Sequence, residues 1–253
     1  YGAIGQSLAA RLAKRTTVTE IIVLVRPGAT PPALPLPGRF VHTIQELVGI
    51  DLLVESAGAA AVKHFAPISL GQGIDCLIAS VGALADPDLE TTLRDAATAS
   101  GAQLLIPAGA IGGIDMAASL ARDGLDTVTY EGRKPPMAWS GSPAEHILDL
   151  SQVTTPQVVF EGTAREAALA YPKNANVAAT LALAGVGFEK TRVKLIADPT
   201  TDKNTHSYNV VSDVVSYSVE LMSVVSPKNP KTSMTTVYSL AREVLNKTST
   251  VAI

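Results

Sequence analysis

The sequence predicts an α/β fold in which a parallel sheet covered by helices is followed by an α+β domain with a mostly antiparallel sheet. Three observations support this prediction. Short, continuously apolar strands alternate with helices over the first hundred residues. Longer strand-like segments follow one another after residue 190, and the last of them alternates between apolar and polar residues. A glycine-rich segment opens the chain directly before a helix.

The composition is that of a globular protein, with 253 residues of which 47% are hydrophobic and 17% charged. A formal net charge of −3 gives no basic footprint for nucleic acid, and the apolar runs are too short to span a membrane. The one cysteine, Cys76, lies in a strand-like segment, where a buried inert thiol is expected, and it rules out a disulfide within the chain. No histidine, cysteine or carboxylate cluster has metal-ligand spacing, so we expect no metal. The given sequence has no secretory signal region, so a cytoplasmic location is the default expectation.

The opening residues resemble the end of a G-x-G-x-x-G turn. In such a turn a strand passes into a helix whose N-terminus receives the pyrophosphate of a dinucleotide. The matching residues are Gly2, Ala3, Ile4 and Gly5. The first glycine and its strand are absent, so we expect the natural chain to begin earlier. The alternative is an ordinary N-terminal coil.

The first domain is predicted to contain strands at residues 20–26, 40–43, 51–55, 75–80 and 103–107, with a proline-rich loop over 29–38. Asp86 is expected to cap a helix that begins at Pro87 and ends at Gly101. Ligands collect at the carboxyl ends of parallel strands, where this sequence places small residues. The predicted contacts are Ser56, Ala57, Gly58, Ser80, Val81 and Ala110. Small residues are equally expected in any tight turn, so both interpretations stay open.

The second part is predicted to contain strands at residues 125–131, 157–161, 191–197, 205–211 and 214–223. Capping boxes at 142–145 and 163–166 open helices, a further helix covers 176–183, and an amphipathic helix covers 232–245. We therefore expect a dinucleotide-binding domain over residues 1–110 and a catalytic and dimerisation domain over 111–235. The C-terminal helix, residues 236–253, is expected to pack back on the first domain.

His206 is the strongest candidate for catalysis. It lies in a predicted strand among small polar residues and alternates in phase with Tyr208 and Val210. A neutral imidazole can accept a proton from an amine or from water, as the oxidation of a C–N or C–O bond requires. His42, His64 and His146 are interpreted as solvated or core-edge residues.

Two polar segments that precede predicted helices are candidates for ligand binding. In the first, Lys173 adds positive charge, Asn174 is a possible cap, and Asn176, taken to lie one turn into the helix, can hold a carboxamide. In the second, a predicted loop over 226–233, the side chains suited to a carboxylate clamp are Lys231, Thr232 and Ser233. A plain helix cap with a solvated lysine is the alternative for that loop.

Taken together, five segments resemble the L-aspartate dehydrogenase family, in the same order and over essentially the whole chain. They are residues 2–5, 106–113, 172–178, 205–206 and 229–233. The resemblance implies a Rossmann domain followed by a catalytic domain, usually in a homodimer. It also implies NAD- or NADP-dependent oxidation of L-aspartate to iminoaspartate, which hydrolyses to oxaloacetate and ammonia and can feed pyridine-nucleotide biosynthesis. His206 matches the family's catalytic histidine, and Ala110 and Asn176 match nicotinamide-contacting positions.

The choice of cofactor stays open in the sequence. No acidic residue ends the strand at Arg26, so Arg26 is a candidate for contacting the 2′-phosphate of NADP. Two other functions also remain open. One is a different amino-acid or hydroxy-acid dehydrogenase resembling homoserine dehydrogenase, and the other is a nucleotide-sensing protein without turnover.

Overall fold

The computed structural model describes residues 1–172, 174–223, 225–226 and 229–252, without the side chains of 225, 226 and 229–232. The chain divides into two compact units. The first unit consists of Tyr1–Ser80, Asp88–Pro107 and Val237–Ile253, and the second of Val81–Pro87 and Ala108–Thr236. No helix in the described part of the chain is long and apolar enough to cross a membrane.

The first unit contains short parallel strands that alternate with helices. Its elements are α1 (Ala3–Leu12), β1 (Ile21–Leu24), β2 (Gly38–Val41), β3 (Leu52–Glu55), α2 (Ala59–Gly71), β4 (Asp75–Ile78), α3 (Pro87–Ser100) and β5 (Leu104–Leu105). β1 pairs with β2, and β4 lies between β3 and β5, with every pair parallel. The predicted parallel arrangement is confirmed.

Two boundaries in the first unit differ from the prediction. β2 begins at Gly38 rather than residue 40, because Gly38 pairs with Ile21 and a Cβ there would lie 2.0 Å from the Ile21 carbonyl oxygen. β5 is only two residues long, so most of the predicted strand over 103–107 is irregular. Cys76 on β4 is fully buried, and burial together with the charge of Glu55 raises the pKa of its thiol to about 12. The predicted burial of this thiol in a strand is confirmed.

The second unit is built on a five-stranded mixed sheet. Its elements are α4 (Ile114–Leu120), β6 (Thr127–Lys134), β7 (Gln157–Thr163), α5 (Ala164–Ala170), α6 (Asn176–Ala184), β8 (Arg192–Ala197), β9 (Asn204–Val211), β10 (Ser216–Ser223), β11 (Val225–Ser226) and β12 (Asn229–Ser233). The sheet order is β10-β9-β6-β8-β7, and only the β6–β8 pair is parallel. This matches the predicted mostly antiparallel sheet.

An aromatic cluster packs against one end of this sheet. Trp139 is fully buried, and its indole N–H donates to the Ile196 carbonyl oxygen at 3.1 Å. Tyr171 meets Trp139 and Phe160 edge-on, and its hydroxyl donates to the Val159 carbonyl oxygen at 2.8 Å. These bonds satisfy the polar ends of rings that are otherwise buried for their apolar area.

The two predicted capping boxes have different outcomes. Thr163 and Glu166 form a reciprocal capping box at the start of α5, as predicted. Ser142 instead opens a short 3₁₀ helix over Pro143–His146, and its hydroxyl accepts from the Ala144 N–H. The Glu145 carboxylate accepts from the Ser140 hydroxyl at 2.6 Å, which draws it away from the predicted box.

The segment before the last helix is also different from the prediction. Residues 226–233 were expected to form a loop, but β11 and β12 pair antiparallel there. The last helix, α7 (Met234–Asn246), therefore starts two residues later than predicted. From Val237 onward it belongs to the first unit, where Arg11 lies 3.9 Å from the Tyr238 ring centroid and Lys247 pairs with Asp75.

The domain boundaries also differ in detail from those drawn from the sequence. The first unit ends at Pro107 rather than residue 110, and residues 81–87 lie in the second unit although the sequence placed them in the first.

Candidate active site

The N-terminus of α1 has the properties of a phosphate site. Gly2 is the N-cap in extended backbone, no side chain caps the helix, and no acidic residue lies in its first turn. A Cβ on Gly2 would meet nothing within 4 Å, so the approach to these N–H groups is open. A Cβ on Gly5 would lie 3.5 Å from the Ser56 hydroxyl, which shows close packing. Open, uncapped N–H groups at a helix N-terminus fit the pyrophosphate of NAD or NADP.

Glu55 organises the ends of β3 and β4, and sequence reasoning missed it. One carboxylate oxygen accepts from the Ala57 N–H at 2.5 Å and the Gly58 N–H at 2.7 Å. Ser80 donates to the same carboxylate through its N–H and its hydroxyl, each at 3.1 Å. The residue is 6% exposed, so its charge is held almost entirely by these four bonds.

The predicted contacts at the strand ends are therefore brought together through Glu55. Ser56 and Gly58 are partly exposed and Ala57 is exposed, directly after β3. Ser80 follows β4 and is partly exposed. Arg26, two residues beyond β1, is exposed, as a side chain that reaches a phosphate must be.

In the second unit, Asn176 is tied to the segment that follows β4. Its Oδ1 accepts from the Gly82 N–H at 2.9 Å, and a Cβ on Gly82 would lie 3.1 Å from that oxygen. Val81 and Gly82 belong to a buried 3₁₀ helix, Val81–Ala85. Because the Gly82 N–H occupies Oδ1, the orientation of the Asn176 amide is fixed, and its N–H donors point away from Gly82.

Two expectations about this segment were wrong. Asn176 is the first residue of α6, where the predicted helix over 176–183 also begins, and not one turn in as its proposed role assumed. The N-cap is Ala175, which has no side-chain acceptor. Asn174 does not cap the helix, because its Oδ1 accepts from the Lys134 ammonium at 2.9 Å. Ala110 is buried in the loop between β5 and α4.

His206 lies on β9 with its side chain on the buried face of the sheet. It pairs with Gly132 on β6 and is 5% exposed. Its Nδ1 lies 2.8 Å from the Tyr130 hydroxyl, and the two rings are nearly parallel, 18° apart. Burial, together with the smaller effect of the Lys134 charge, lowers the pKa of His206 from 6.5 to about 3. The imidazole is thus neutral at pH 7.

Lys134 is, after Glu55, a second buried charged residue that was not identified from the sequence. It is 7% exposed, at the end of β6, and its ammonium lies 5.2 Å from the Trp139 ring centroid. On the neighbouring strand Asn204 is also buried, and its Oδ1 has no hydrogen-bond partner among the described residues. A buried orphan acceptor close in sequence to a buried histidine is suited to a ligand that donates.

The proposed carboxylate clamp is described only in part. Lys173 and the side chains of Lys231 and Thr232 lie outside the described residues. The Ser233 hydroxyl is shared with Thr235, accepting from its N–H at 3.3 Å and lying 2.6 Å from its hydroxyl. Ser233 therefore acts at the start of α7, as the alternative of a plain helix cap expects.

Comparison with known proteins identifies the family. The family model "Aspartate dehydrogenase, C-terminal" matches residues 115–247, and "Homoserine dehydrogenase, NAD binding domain" matches residues 1–107. The chain is 48% identical to an L-aspartate dehydrogenase of Ralstonia nicotianae over 80% of this chain and 76% of that protein. It is 45% identical to one of Pseudomonas aeruginosa over 80% and 76% of the two chains.

The chain belongs to the aspartate dehydrogenase family. The crystal structure of aspartate dehydrogenase from Thermotoga maritima is similar with a TM-score of 0.80 and 30% identity, over 100% of this chain and 95% of that one. The chain is thus an oxidoreductase with an NAD-binding domain, and the predicted resemblance is confirmed. The homoserine dehydrogenase match is confined to the nucleotide-binding part, so it does not favour the homoserine alternative.

In this aspartate dehydrogenase family member, Glu55→Gln is expected to raise the KM for NAD(P) on the order of 10-fold. Three of the four bonds go to Oε1 and one goes to Oε2. An amide nitrogen cannot accept, so the bonds to one of the two positions are lost and the arrangement of the strand ends loosens. Steady-state kinetics with varied cofactor measures the change. Glu46→Gln is the matched control, because the Glu46 carboxylate also accepts two backbone N–H bonds, in a 3₁₀ helix that follows β2 rather than β3 or β4. A wild-type KM in Glu55→Gln would contradict the assignment.

The lowered pKa of His206 predicts a pH dependence of stability. Between pH 6.5 and about 3 the unfolded chain binds a proton at position 206 that the folded chain does not. This residue therefore leaves the free energy of unfolding at its full value above pH 6.5 and lowers it as the pH falls below 6.5. Thermal unfolding at pH 8 and pH 5 is expected to show a larger loss of Tm in wild type than in His206→Asn. His64→Asn, at an exposed position on α2, is expected to lose as much Tm between pH 8 and pH 5 as wild type does. Equal losses in wild type and His206→Asn would show that burial of this ring carries no such linkage.

Proposed function

We propose that this chain oxidises L-aspartate to iminoaspartate with NAD or NADP, with His206 as the catalytic residue. Iminoaspartate then hydrolyses to oxaloacetate and ammonia, and the reaction is reversible. The observation that supports this best is the buried, neutral His206, with the charge of Lys134 close enough to lower its pKa, in a chain of the aspartate dehydrogenase family. Homodimer assembly, a cytoplasmic location and a role in pyridine-nucleotide biosynthesis remain predictions from the resemblance.

The residues proposed from the sequence as cofactor contacts are given for each unit by itself. In the first unit these are Gly2, Ala3, Ile4, Gly5, Arg26, Ser56, Ala57, Gly58 and Ser80. In the second unit they are Val81, Ala110 and Asn176, with Asn176 held by Gly82 so that its N–H donors are available to a carboxamide. When bound, the nicotinamide would supply the hydride acceptor for oxidation at the substrate Cα.

The substrate carries two carboxylates and one amine, and the second unit offers partners for both kinds of group. Lys173, Lys231, Thr232 and Ser233 are proposed from the sequence as carboxylate ligands, and the buried Lys134 adds positive charge near His206. The orphaned Asn204 Oδ1 is an acceptor suited to the substrate amine. Charged partners of this kind orient the reacting Cα, and orientation supplies much of the rate enhancement in such reactions.

His206 is proposed to act on the reacting amine and on the water that attacks the imine. The chemistry requires a neutral imidazole, and burial keeps the ring neutral. The negative carboxylates of the substrate counteract Lys134 and raise the proton affinity of the ring when they bind. A histidine that is neutral at rest is therefore prepared for proton exchange by the charge of its own substrate.

The deciding experiment follows the absorbance of reduced cofactor with L-aspartate and either NAD or NADP. Turnover is expected with aspartate, and His206→Ala is expected to lower kcat by a factor on the order of 10² or more, as acid–base residues do. Cofactor binding, measured by fluorescence of the reduced nucleotide, is expected to survive. His146→Ala, an exposed histidine in the same unit, is the control. Turnover of homoserine instead of aspartate, or tight nucleotide binding without turnover, would contradict the proposal.

Lys231→Ala is expected to raise the KM for aspartate far more than the KM for NAD(P), because its ammonium is proposed to bind a substrate carboxylate. Initial rates with each substrate varied in turn separate the two constants. Lys203→Ala, an exposed lysine just before β9, is the matched control. If both KM values of Lys231→Ala equal those of wild type, the residue does not belong to the clamp.

A further inference from the structure

The Tyr130 hydroxyl has a single hydrogen-bond partner among the described residues, Nδ1 of His206 at 2.8 Å. Tyr130 is 3% exposed, and burial raises the pKa of its phenol, so the hydroxyl keeps its proton. If Nδ1 carried the imidazole proton, the Tyr130 O–H would be a buried donor without an acceptor. Leaving such a donor unpaired costs about 1–3 kcal/mol, whereas a phenol oxygen that accepts nothing costs less. The hydroxyl therefore donates and Nδ1 accepts.

The backbone is arranged to make this contact possible. Tyr130 on β6 pairs with Tyr208, and it is Gly132 that pairs with His206. To reach His206 the Tyr130 side chain leans along its own strand over Gly132, where a Cβ would lie 2.6 Å from the Tyr130 hydroxyl oxygen. The same Cβ would lie 3.3 Å from Leu195 Cδ2 on β8, so a side chain at position 132 would be crowded by that residue as well. The glycine at position 132 is what lets the hydroxyl reach the imidazole.

We infer that Tyr130 is a positioning residue that holds His206 as the neutral tautomer with its proton on Nε2. The inference rests on the proposed function only in placing Nε2 against the substrate. In this tautomer the resting ring presents an N–H donor at Nε2, and the group that pairs with it is an oxygen atom. The matching oxygens are a substrate carboxylate, the hydroxyl formed when water adds to the imine, and the carbonyl of oxaloacetate in the reverse direction. A neutral imidazole that donates in this way polarises a carbonyl without changing its own charge.

The tautomer can be measured without any turnover. In ¹⁵N-histidine-labelled protein, long-range ¹H–¹⁵N spectra distinguish a protonated ring nitrogen from a bare one, and the His206 signals are those absent from His206→Asn. Wild type is expected to carry its proton on Nε2. Tyr130→Phe removes one oxygen and is expected to shift the His206 signals toward a mixture of tautomers. Wild-type His206 with its proton on Nδ1, or unchanged signals in Tyr130→Phe, would overturn the inference.

Kinetics then tests the consequence. Tyr130→Phe is expected to lower kcat for aspartate on the order of 10-fold or more while the KM for NAD(P) stays at the wild-type value, because a misplaced ring affects the chemical step. Gly132→Ala, which displaces the Tyr130 hydroxyl without altering either partner, is expected to produce the same pattern. Tyr171→Phe is the matched control, since Tyr171 is equally buried in the same unit and its hydroxyl donates to the Val159 carbonyl oxygen.

The outcomes separate the two proposals. Wild-type kcat in Tyr130→Phe, or an equal loss in Tyr171→Phe, would overturn the positioning role. A different result would separate the proposed function from the tautomer assignment. If the wild-type protein does not oxidise aspartate, the proposed function fails. The tautomer assignment still stands if wild-type His206 carries its proton on Nε2 and Tyr130→Phe abolishes this preference.

Discussion

The second unit depends on keeping a polar ring, the imidazole of His206, on the buried face of its sheet. A buried imidazole is stable there only if it is neutral and at least one of its nitrogens is paired, because desolvation penalises both charge and unpaired polar atoms. The structure meets both conditions, since the pKa of His206 is lowered to about 3 and the Tyr130 hydroxyl occupies Nδ1. Gly132 lies opposite His206 because any larger residue would collide with Tyr130. Neighbouring positions on β6 and β9 are thus constrained by one hydrogen bond.

The first unit also buries a polar group that needs hydrogen-bond partners, and there the group is a carboxylate rather than an imidazole. Glu55 is buried with its charge, and the four donors around it come from the turns after β3 and β4. Breaking one partner of a buried charge is costly, so the turns and the carboxylate hold each other in place. Small residues at strand ends are common, but here their N–H groups are committed to Glu55. In this unit the acid, rather than the glycines alone, determines the shape of the strand ends.

The sequence was sufficient for features that depend on local periodicity or on motif order. The parallel strands, the mostly antiparallel sheet, the capping box at Thr163 and the start of α6 all follow from patterns within a few residues. Prediction from the sequence failed where a partner outside the local motif takes the side chain. Glu145 bonds to Ser140 instead of completing a box, and Asn174 bonds to Lys134 instead of capping a helix. Tyr130 and His206 are 76 residues apart, and only the strand register brings them together.

Charge connects the buried histidine to the kind of substrate it suits. Lys134 lowers the proton affinity of His206 and at the same time attracts anions. A carboxylate that binds near the lysine cancels part of its field at the imidazole, so substrate binding and the proton affinity of the ring are coupled through one charge. A monocarboxylic amino acid whose single carboxylate is used elsewhere leaves that field in place. Under the proposed function, selection for a dicarboxylate therefore arises at His206 itself, in addition to any contacts that the rest of the proposed site makes with the second carboxylate.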